Sequence, residues 1–319
     1  MNTRNINIAI IGAGEWSQMC HIPAIKYLEK KYPLHITGIW NRTIDKAVKA
    51  SQKYQINKVY KSLNEVINDK DINCFAIVIH PSVVRNIIKK LLKRNLPILC
   101  EKPPGETAKE AEVLSTIIKV PNVVAFNRRY TPINRQFKKV IENMKNIYYT
   151  ECRFYRSERY YKNFITTTGI HGINYMEYLF GPIEKVKVNK WENPINNTHI
   201  CVCQINFSSG LNGLIKFFPC SGSSLERYEA HSTNMSTYLY SPQHYTEDYP
   251  GQIKIYKKSK KIKVIQGNAE KGPLFNLGLI NEYVDFFNAF LKNVPTISNF
   301  QNAENSMKIA EIIEKEIKT

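Results

Sequence analysis

The sequence predicts an α/β protein: a doubly wound parallel sheet first, then a second unit of α+β type. Three observations carry this. Continuous apolar runs alternate with amphipathic segments through the first third of the chain, as buried parallel strands and their crossover helices require. Near residue 147 the pattern changes to short alternating segments that follow one another as antiparallel strands do. The chain has 319 residues, 43% of them hydrophobic, which is more than one ordinary core holds.

The elements follow in order. Ile6–Ile11 is a continuous apolar run and reads as a fully buried strand. A helix is expected from Trp16 to Lys31, a strand at His35–Trp40 and a helix at Ile44–Lys53. Val59–Tyr60 is a short strand and Leu63–Asn68 a short helix. Cys74–Ile79 is another buried run, followed by a helix over Ser82–Arg94. Pro97–Cys100 is a strand. Thr107 caps the next helix, with Glu110 three residues on as in a capping box. Val123–Phe126 is the last strand of this series.

Beyond it, Ile147–Phe154 alternates in part, and Thr168–Phe180 reads as a helix closed by Gly181-Pro182. Strand-like segments follow at Val186–Trp191, His199–Phe207, Leu211–Phe218, Arg227–His231 and Met235–Tyr240, with a hairpin over Ile253–Ile265. Two helices close the chain, Asn276–Leu291 and Asn302–Ile317. The expected domains are 1–126 and 127–319, the final helix at about 302–317 being placed to pack back on the first.

The net charge is +18. The lysines are scattered, and the one dense cluster, Lys257-Lys258-Ser259-Lys260-Lys261, falls at the hairpin turn. No recognition-helix or RNA-binding motif accompanies the charge, so no nucleic-acid partner is expected. The basic balance favours anionic small ligands. No apolar run is long enough to span a membrane, and the N-terminus leads into a strand pattern without a signal-peptide core. A cytoplasmic protein with a small-molecule substrate is the expectation. The seven cysteines show no Cys-x-x-Cys, and Cys201 and Cys203 are spaced as same-face residues of a strand. Buried free thiols are expected and no metal site. The glycosylation patterns at Asn196, Asn206 and Asn234 carry no weight without an export signal.

Two segments carry chemistry. In Ile11-Gly12-Ala13-Gly14-Glu15-Trp16-Ser17, Gly12 permits the tight turn and Gly14 lets the backbone approach a pyrophosphate at a helix N-terminus. The third glycine of this fingerprint is Ser17 here. The second strand ends Trp40-Asn41-Arg42-Thr43, without the acid that binds a ribose 2′-hydroxyl. Asn41, Arg42 and Thr43 can donate to a 2′-phosphate, with Lys46 one turn on, so NADP(H) is expected over NAD(H). The competing account is that this tripeptide only caps the helix after it. His80-Pro81 occupies the same sheet edge, either lining the nicotinamide ribose pocket or serving as a loop without ligand contact. In the second segment, Glu101-Lys102-Pro103-Pro104-Gly105 puts a lysine where a parallel strand ends, the edge at which open α/β sheets bind ligands.

With these residues in place the chain resembles the glucose–fructose oxidoreductase/inositol dehydrogenase/rhizopine catabolism (Gfo/Idh/MocA) family. The resemblance rests on Ala9–Ser17 running into His21-Ile22-Pro23-Ala24. It continues through Asn41-Arg42-Thr43, Glu101-Lys102-Pro103, Asn127-Arg128-Arg129-Tyr130, Gly169-Ile170-His171, Asn281-Glu282-Tyr283 and Phe286-Phe287. It implies a Rossmann-type dinucleotide domain contacting cofactor through Gly12, Gly14, Glu15, Trp16, Glu101 and Lys102. It also implies a C-terminal domain with a large, mostly antiparallel open sheet whose outer face makes a homodimer or homotetramer. The family's reactions are hydride transfers at sugar, inositol or related carbons. Its lysine maps onto Lys102 and its histidine onto His171, while the two usual aspartates fall on Thr167 and Asn174.

The chemistry of this pair is simple. A lysine ammonium can hydrogen-bond a substrate oxygen as charge develops on it, and a histidine can take or return the proton. Thr167 can hydrogen-bond the imidazole but brings no charge, which leaves a less basic His171 or another proton carrier such as Tyr160, Tyr161 or Tyr175. His171 as a satisfied helix histidine is the structural alternative. Arg128, Arg129, Arg153, Arg156 and Arg159, interleaved with tyrosines, suit a phosphorylated or carboxylated substrate, or else form a solvated basic face. Arg128, Arg156, Tyr160, Thr167 and Asn174 are the candidate substrate contacts. The expected function is an NADP(H)-dependent oxidoreductase, in the reductive direction, on a sugar-like or other carbonyl or imine substrate with an anionic group. The rival is a cofactor-binding sensor with little turnover.

Overall fold

The computed structural model describes residues 5–159, 161–193 and 198–318. Tyr160 and Asn196 lie outside the described residues. The chain forms two compact units: residues 1–125 with 279–304, and residues 126–278 with 305–319.

The first unit is built on six strands: β1 (Ile6–Ile11), β2 (Leu34–Trp40), β3 (Val59–Tyr60), β4 (Cys74–Ile77), β5 (Ile98–Cys100) and β6 (Asn122–Val124). They pair in parallel in the order β3-β2-β1-β4-β5-β6. Helices α1 (Ile22–Glu29), α2 (Ile44–Tyr54), α3 (Leu63–Asn68), α4 (Pro81–Leu91) and α5 (Ala108–Ile117) make the crossovers. The strand sequences are apolar on both faces because helices cover both, and β4 and β5 are buried throughout. Thr107 caps α5 by accepting from the Glu110 amide at 3.2 Å. The return half of the capping box is displaced, since Glu110 Oε2 accepts from the Glu106 amide instead. The helix expected from Trp16 begins with a π-helical turn, Ser17–His21, before α1.

The second unit opens with α6 (Pro132–Glu142), which periodicity had left unassigned. Ile133, Phe137 and Ile141 form its buried stripe. A sheet of eight strands follows: β7 (Ile147–Tyr155), β8 (Ile183–Glu192), β9 (His199–Phe207), β10 (Asn212–Phe218), β11 (Leu225–Ser232), β12 (Met235–Ser241), β13 (Gln252–Lys257) and β14 (Lys260–Gln266). The order is β14-β13-β12-β11-β7-β10-β9-β8, antiparallel except for the β7–β10 pair. Helix α7 (Ile170–Phe180) lies between β7 and β8 in the chain and ends at Gly181, whose φ of +92° suits glycine. The lysine cluster sits at a two-residue hairpin turn in which Lys258 and Ser259 both take positive φ. Cys201 and Cys203 are both buried with sulfurs 4.0 Å apart, as same-face spacing requires.

The closing helices differ from the sequence expectation. The segment read as one helix from Asn276 is two, α8 (Pro273–Asn276) and α9 (Leu279–Lys292), broken at Gly278. A Cβ there would lie 2.4 Å from the Asn127 carbonyl, and its φ is +87°. Helix α9 and the chain as far as Glu304 fall in the first unit, whereas the sequence placed them in 127–319. Ser298 exchanges hydrogen bonds with Val124, and Thr296 donates to the Asn122 carbonyl at 2.5 Å, so the returning chain satisfies the open edge of β6. The last helix, α10 (Phe300–Lys318), was expected to pack on the first domain; from Asn305 onward it counts with the second unit.

Candidate active site

In the first unit, Ile11, Ile77 and Cys100 stand in register at the C-terminal ends of β1, β4 and β5. The residues after them form one edge, with the Val78 amide donating to Ile11 and the Glu101 amide to Ile77, both at 2.8 Å. Gly12 has φ +113°, and a Cβ would meet the Val78 carbonyl oxygen at 2.0 Å, so only glycine makes this turn. A Cβ on Gly14 would meet nothing within 4 Å, which leaves the backbone open to approach. Ser17, in the third-glycine position, is buried, and its hydroxyl has no hydrogen-bond partner among the described residues. A tight turn, an open backbone and a waiting buried donor at one edge fit a dinucleotide pyrophosphate. Glu15 and Trp16 are exposed beside it.

At the end of β2 the expected donors separate. Asn41 is a bridge: its Oδ1 accepts from the Ala13 amide at 3.0 Å and its Nδ2 donates to the Thr43 carbonyl at 2.9 Å. It holds the glycine loop to the second strand rather than presenting a free amide. Arg42 and Lys46 are exposed, with no side-chain hydrogen bond or ion pair among the described residues. Thr43 occupies the N-cap position of α2, yet its side chain makes no capping bond. His80 caps α4: its Nδ1 lies 2.8 Å from the Ser82 hydroxyl and accepts from the Ser82 amide at 3.3 Å, with Pro81 in the first turn.

Lys102 follows β5 and is half-buried. Its neighbour Glu101 is buried and organises the edge. Glu101 Oε1 accepts from the Trp16 indole at 2.7 Å and from His21 Nε2 at 2.8 Å, and Oε2 accepts from the Lys102 amide at 3.0 Å. Burial alone would raise this carboxyl. The hydrogen bond and charge of His21, with Lys102 and Trp16, outweigh burial and hold it below the usual carboxylate range.

In the second unit His171 lies in the first turn of α7, buried, edge-on to Phe126 with ring centroids 6.0 Å apart. Thr167 Oγ1 donates to the Asn163 carbonyl at 2.5 Å, within the π-helical turn before α7. Asn174, expected at the substrate, is buried in a structural network: its Oδ1 accepts from Arg129 Nε at 2.7 Å and its Nδ2 donates to Ser306 at 2.9 Å. Arg128 and Arg156, expected to bind an anion, are committed to Glu226. Arg128 grips it with Nε at 3.0 Å and Nη2 at 2.5 Å, and Arg156 adds Nη2 while stacking on Phe154. Arg153 pairs with Glu151 and Glu229. Of the arginine run, Arg159 alone is exposed without a side-chain partner among the described residues. Alternation along β7 had left both outcomes open, and the inward faces required ion pairs.

Sequence reasoning assigned no role to His21, Tyr283, Glu226 or Glu314. His21 and Tyr283 stood inside quoted motifs, so position alone signalled them. Glu226 gave no local signal, because only the register of β11 against β7 turns it inward beside Phe154. Burial would raise it, but the two guanidinium groups hold it down to about 2. Glu314 of α10 accepts from the Ile165 and Thr166 amides at 2.9 and 3.2 Å and so ties the turn that leads to His171. No helix among the described residues is long and apolar enough to cross a membrane.

Comparison with known proteins agrees with this geometry. Residues 6–127 match the family model described as oxidoreductase family, NAD-binding Rossmann fold. An uncharacterized oxidoreductase of Schizosaccharomyces pombe, C26H5.09c, is 30% identical over 142 residues, 43% of this chain and 38% of that protein. The trans-1,2-dihydrobenzene-1,2-diol dehydrogenase of Xenopus tropicalis is 30% identical over 110 residues, 33% of each chain. The matched segments span about two fifths of the length of the first of these curated relatives. Among solved structures, levoglucosan dehydrogenase in complex with NADH superposes with a TM-score of 0.85 at 17% identity, covering 99% of this chain and 97% of that one. A likeness at that identity establishes the shared fold. From its first β-strand through the edge that carries Glu101 and Lys102, the chain is similar to the Gfo/Idh/MocA oxidoreductase family, whose model matches residues 6–127.

Proposed function

We propose that the protein is an NADP(H)-dependent oxidoreductase acting on a sugar-like or other carbonyl or imine substrate. The observation that carries this reading is Lys102 at the end of β5, on the same sheet edge as Gly12, Gly14 and Ser17. Gly14 and the Ser17 hydroxyl would receive the pyrophosphate, and Arg42 and Thr43 a 2′-phosphate. When bound, the nicotinamide supplies or accepts hydride at its C4. The Lys102 ammonium donates to the substrate oxygen or nitrogen and stabilises the charge that develops there. His171 gives up or takes the proton. The Thr167 hydroxyl is donated to the Asn163 carbonyl, so a threonine stands where a carboxylate would raise the basicity of the imidazole. An anionic group on the substrate would be met by Arg159, since Arg128 and Arg156 already share Glu226.

The NAD(H) alternative draws on levoglucosan dehydrogenase, which is described with NADH. The bridging role of Asn41 removes one expected donor, and the free Arg42 keeps NADP(H) preferred. A sensor without turnover is the second reading, favoured by the structural commitments of Thr167 and Asn174. Fluorescence titration with NADPH and NADH, followed by a screen of sugar and nucleotide-sugar carbonyls for a change in nicotinamide absorbance, separates the three. Tighter NADPH binding with turnover is expected. Tighter NADH binding overturns the cofactor assignment, and cofactor binding without turnover supports the sensor.

A further inference from the structure

We propose that His21 is a positioning residue for Lys102: through Glu101 it locks the lysine's backbone and the Trp16 indole into one hydrogen-bonded unit, closed at its far end by Tyr283. The inference rests on the reading of Lys102 as the group that faces substrate.

All members lie in the first compact unit. Glu101 accepts three hydrogen bonds, two on Oε1 from Trp16 and His21 and one on Oε2 from the Lys102 amide. An ionised carboxylate, with acceptor sites on both oxygens and no proton of its own to place, suits all three donors. His21 is 0% exposed, so no solvent replaces its N–H if the ring is lost. The ring is held on both sides. His21 Nδ1 lies 2.8 Å from the Tyr283 hydroxyl, and burial holds that phenol protonated. A carboxylate can only accept, so His21 Nε2 carries the proton that Glu101 receives, and the Tyr283 hydroxyl partners Nδ1 on the other side of the ring. Tyr283 belongs to α9, so a helix far along the chain positions a ring in the first crossover.

The consequence concerns precision. Lysine has a long flexible stem, so its ammonium is placed only as well as its backbone is held. Here the Lys102 amide and the glycine-loop Trp16 share one carboxylate. Trp16 is itself 44% exposed, so the Glu101 bond, rather than packing, orients its indole. Without the His21 donor, burial of Glu101 goes unopposed on that side. The carboxyl then protonates or turns away, and both partners lose their acceptor.

The test uses the full chain with three substitutions. His21→Leu keeps apolar bulk and removes the donor, His21→Gln restores an amide N–H toward Glu101, and Tyr283→Phe removes only the far hydroxyl. The first readout is the indole N–H proton resonance of Trp16, assigned with Trp16→Phe, which needs no turnover. The second is kcat against KM with NADPH saturating. The lock predicts that His21→Leu moves the Trp16 resonance and lowers kcat about 10- to 100-fold, with KM changed by less than about twofold. His21→Gln should recover both, and Tyr283→Phe should give a smaller change of the same kind. An unmoved Trp16 resonance in folded His21→Leu overturns the lock. So does a loss of kcat that glutamine fails to rescue. If His21→Leu does not fold, an unmoved resonance together with unchanged kcat in Tyr283→Phe overturns it. An absence of turnover in the unmodified protein refutes the oxidoreductase reading instead, and the resonance still decides the lock.

Discussion

Two buried carboxylates, Glu101 in the first unit and Glu226 in the second, solve the same problem with opposite partners. Glu101 accepts from a histidine, an indole and a backbone amide at the edge of a parallel sheet. Glu226 sits inside an antiparallel sheet and takes two guanidinium groups, Arg128 and Arg156. Both are held below the usual carboxylate range, because specific donors outweigh burial. The difference lies in what each holds. Glu101 holds the Lys102 backbone and the Trp16 indole of a candidate site, whereas Glu226 neutralises arginines that the sequence offered as ligand groups. A buried ion pair is thus no sign of a binding site by itself.

The comparison breaks most visibly at Glu226. Glu226→Leu leaves two guanidinium groups without their shared partner and should cost about 3–5 kcal/mol in urea denaturation. Acid should show the same dependence. The carboxyl is ordinarily near 4.5 and stands at about 2 in the fold, so its contribution is complete above pH 4.5. It is lost as pH falls toward 2, by about 3 kcal/mol in all. A urea midpoint that does not fall over that range refutes the pairing.

At the first edge the expected loss is in rate. Lys102→Ala should lower kcat about 10²- to 10³-fold while changing stability by less than about 1 kcal/mol, since the side chain is half-buried at a loop. Steady-state kinetics beside thermal denaturation reads both. Arg42→Ala should weaken NADPH about 10- to 100-fold and leave NADH within about twofold, measured by fluorescence titration. Equal losses for the two nucleotides would remove the 2′-phosphate assignment. The smallest effect is Thr107→Ala, which should cost about 1 kcal/mol through loss of the α5 cap and leave cofactor affinity unchanged.

The parallel unit was legible because its strands are apolar on both faces and its turns carry Gly12, Gly14 and Pro103 at fixed places. Helix α6 was missed because Arg135, Lys138 and Lys139 dominate its composition, although Ile133, Phe137 and Ile141 mark a helical stripe. The break at Gly278 was missed because the reason for it, the close approach of the Asn127–Thr131 backbone, is distant in sequence. Gly12, Ser17 and Lys102 could be named from local pattern. The commitment of Asn41 to the glycine loop, of Asn174 to Arg129 and Ser306, and of Arg128 and Arg156 to Glu226 could not.

What the sequence determined by itself is the alternation of elements, the glycine turn and the lysine at the end of β5. Each is written in residues that are neighbours along the chain, through periodicity, backbone freedom and turn chemistry. Which polar groups remain available was settled by long-range packing. That depends on side chains from remote segments meeting in a low-dielectric interior, where each buried donor and charge must find a partner. His21 meets Glu101 across 80 residues and Tyr283 across 262, and no local pattern carries that information.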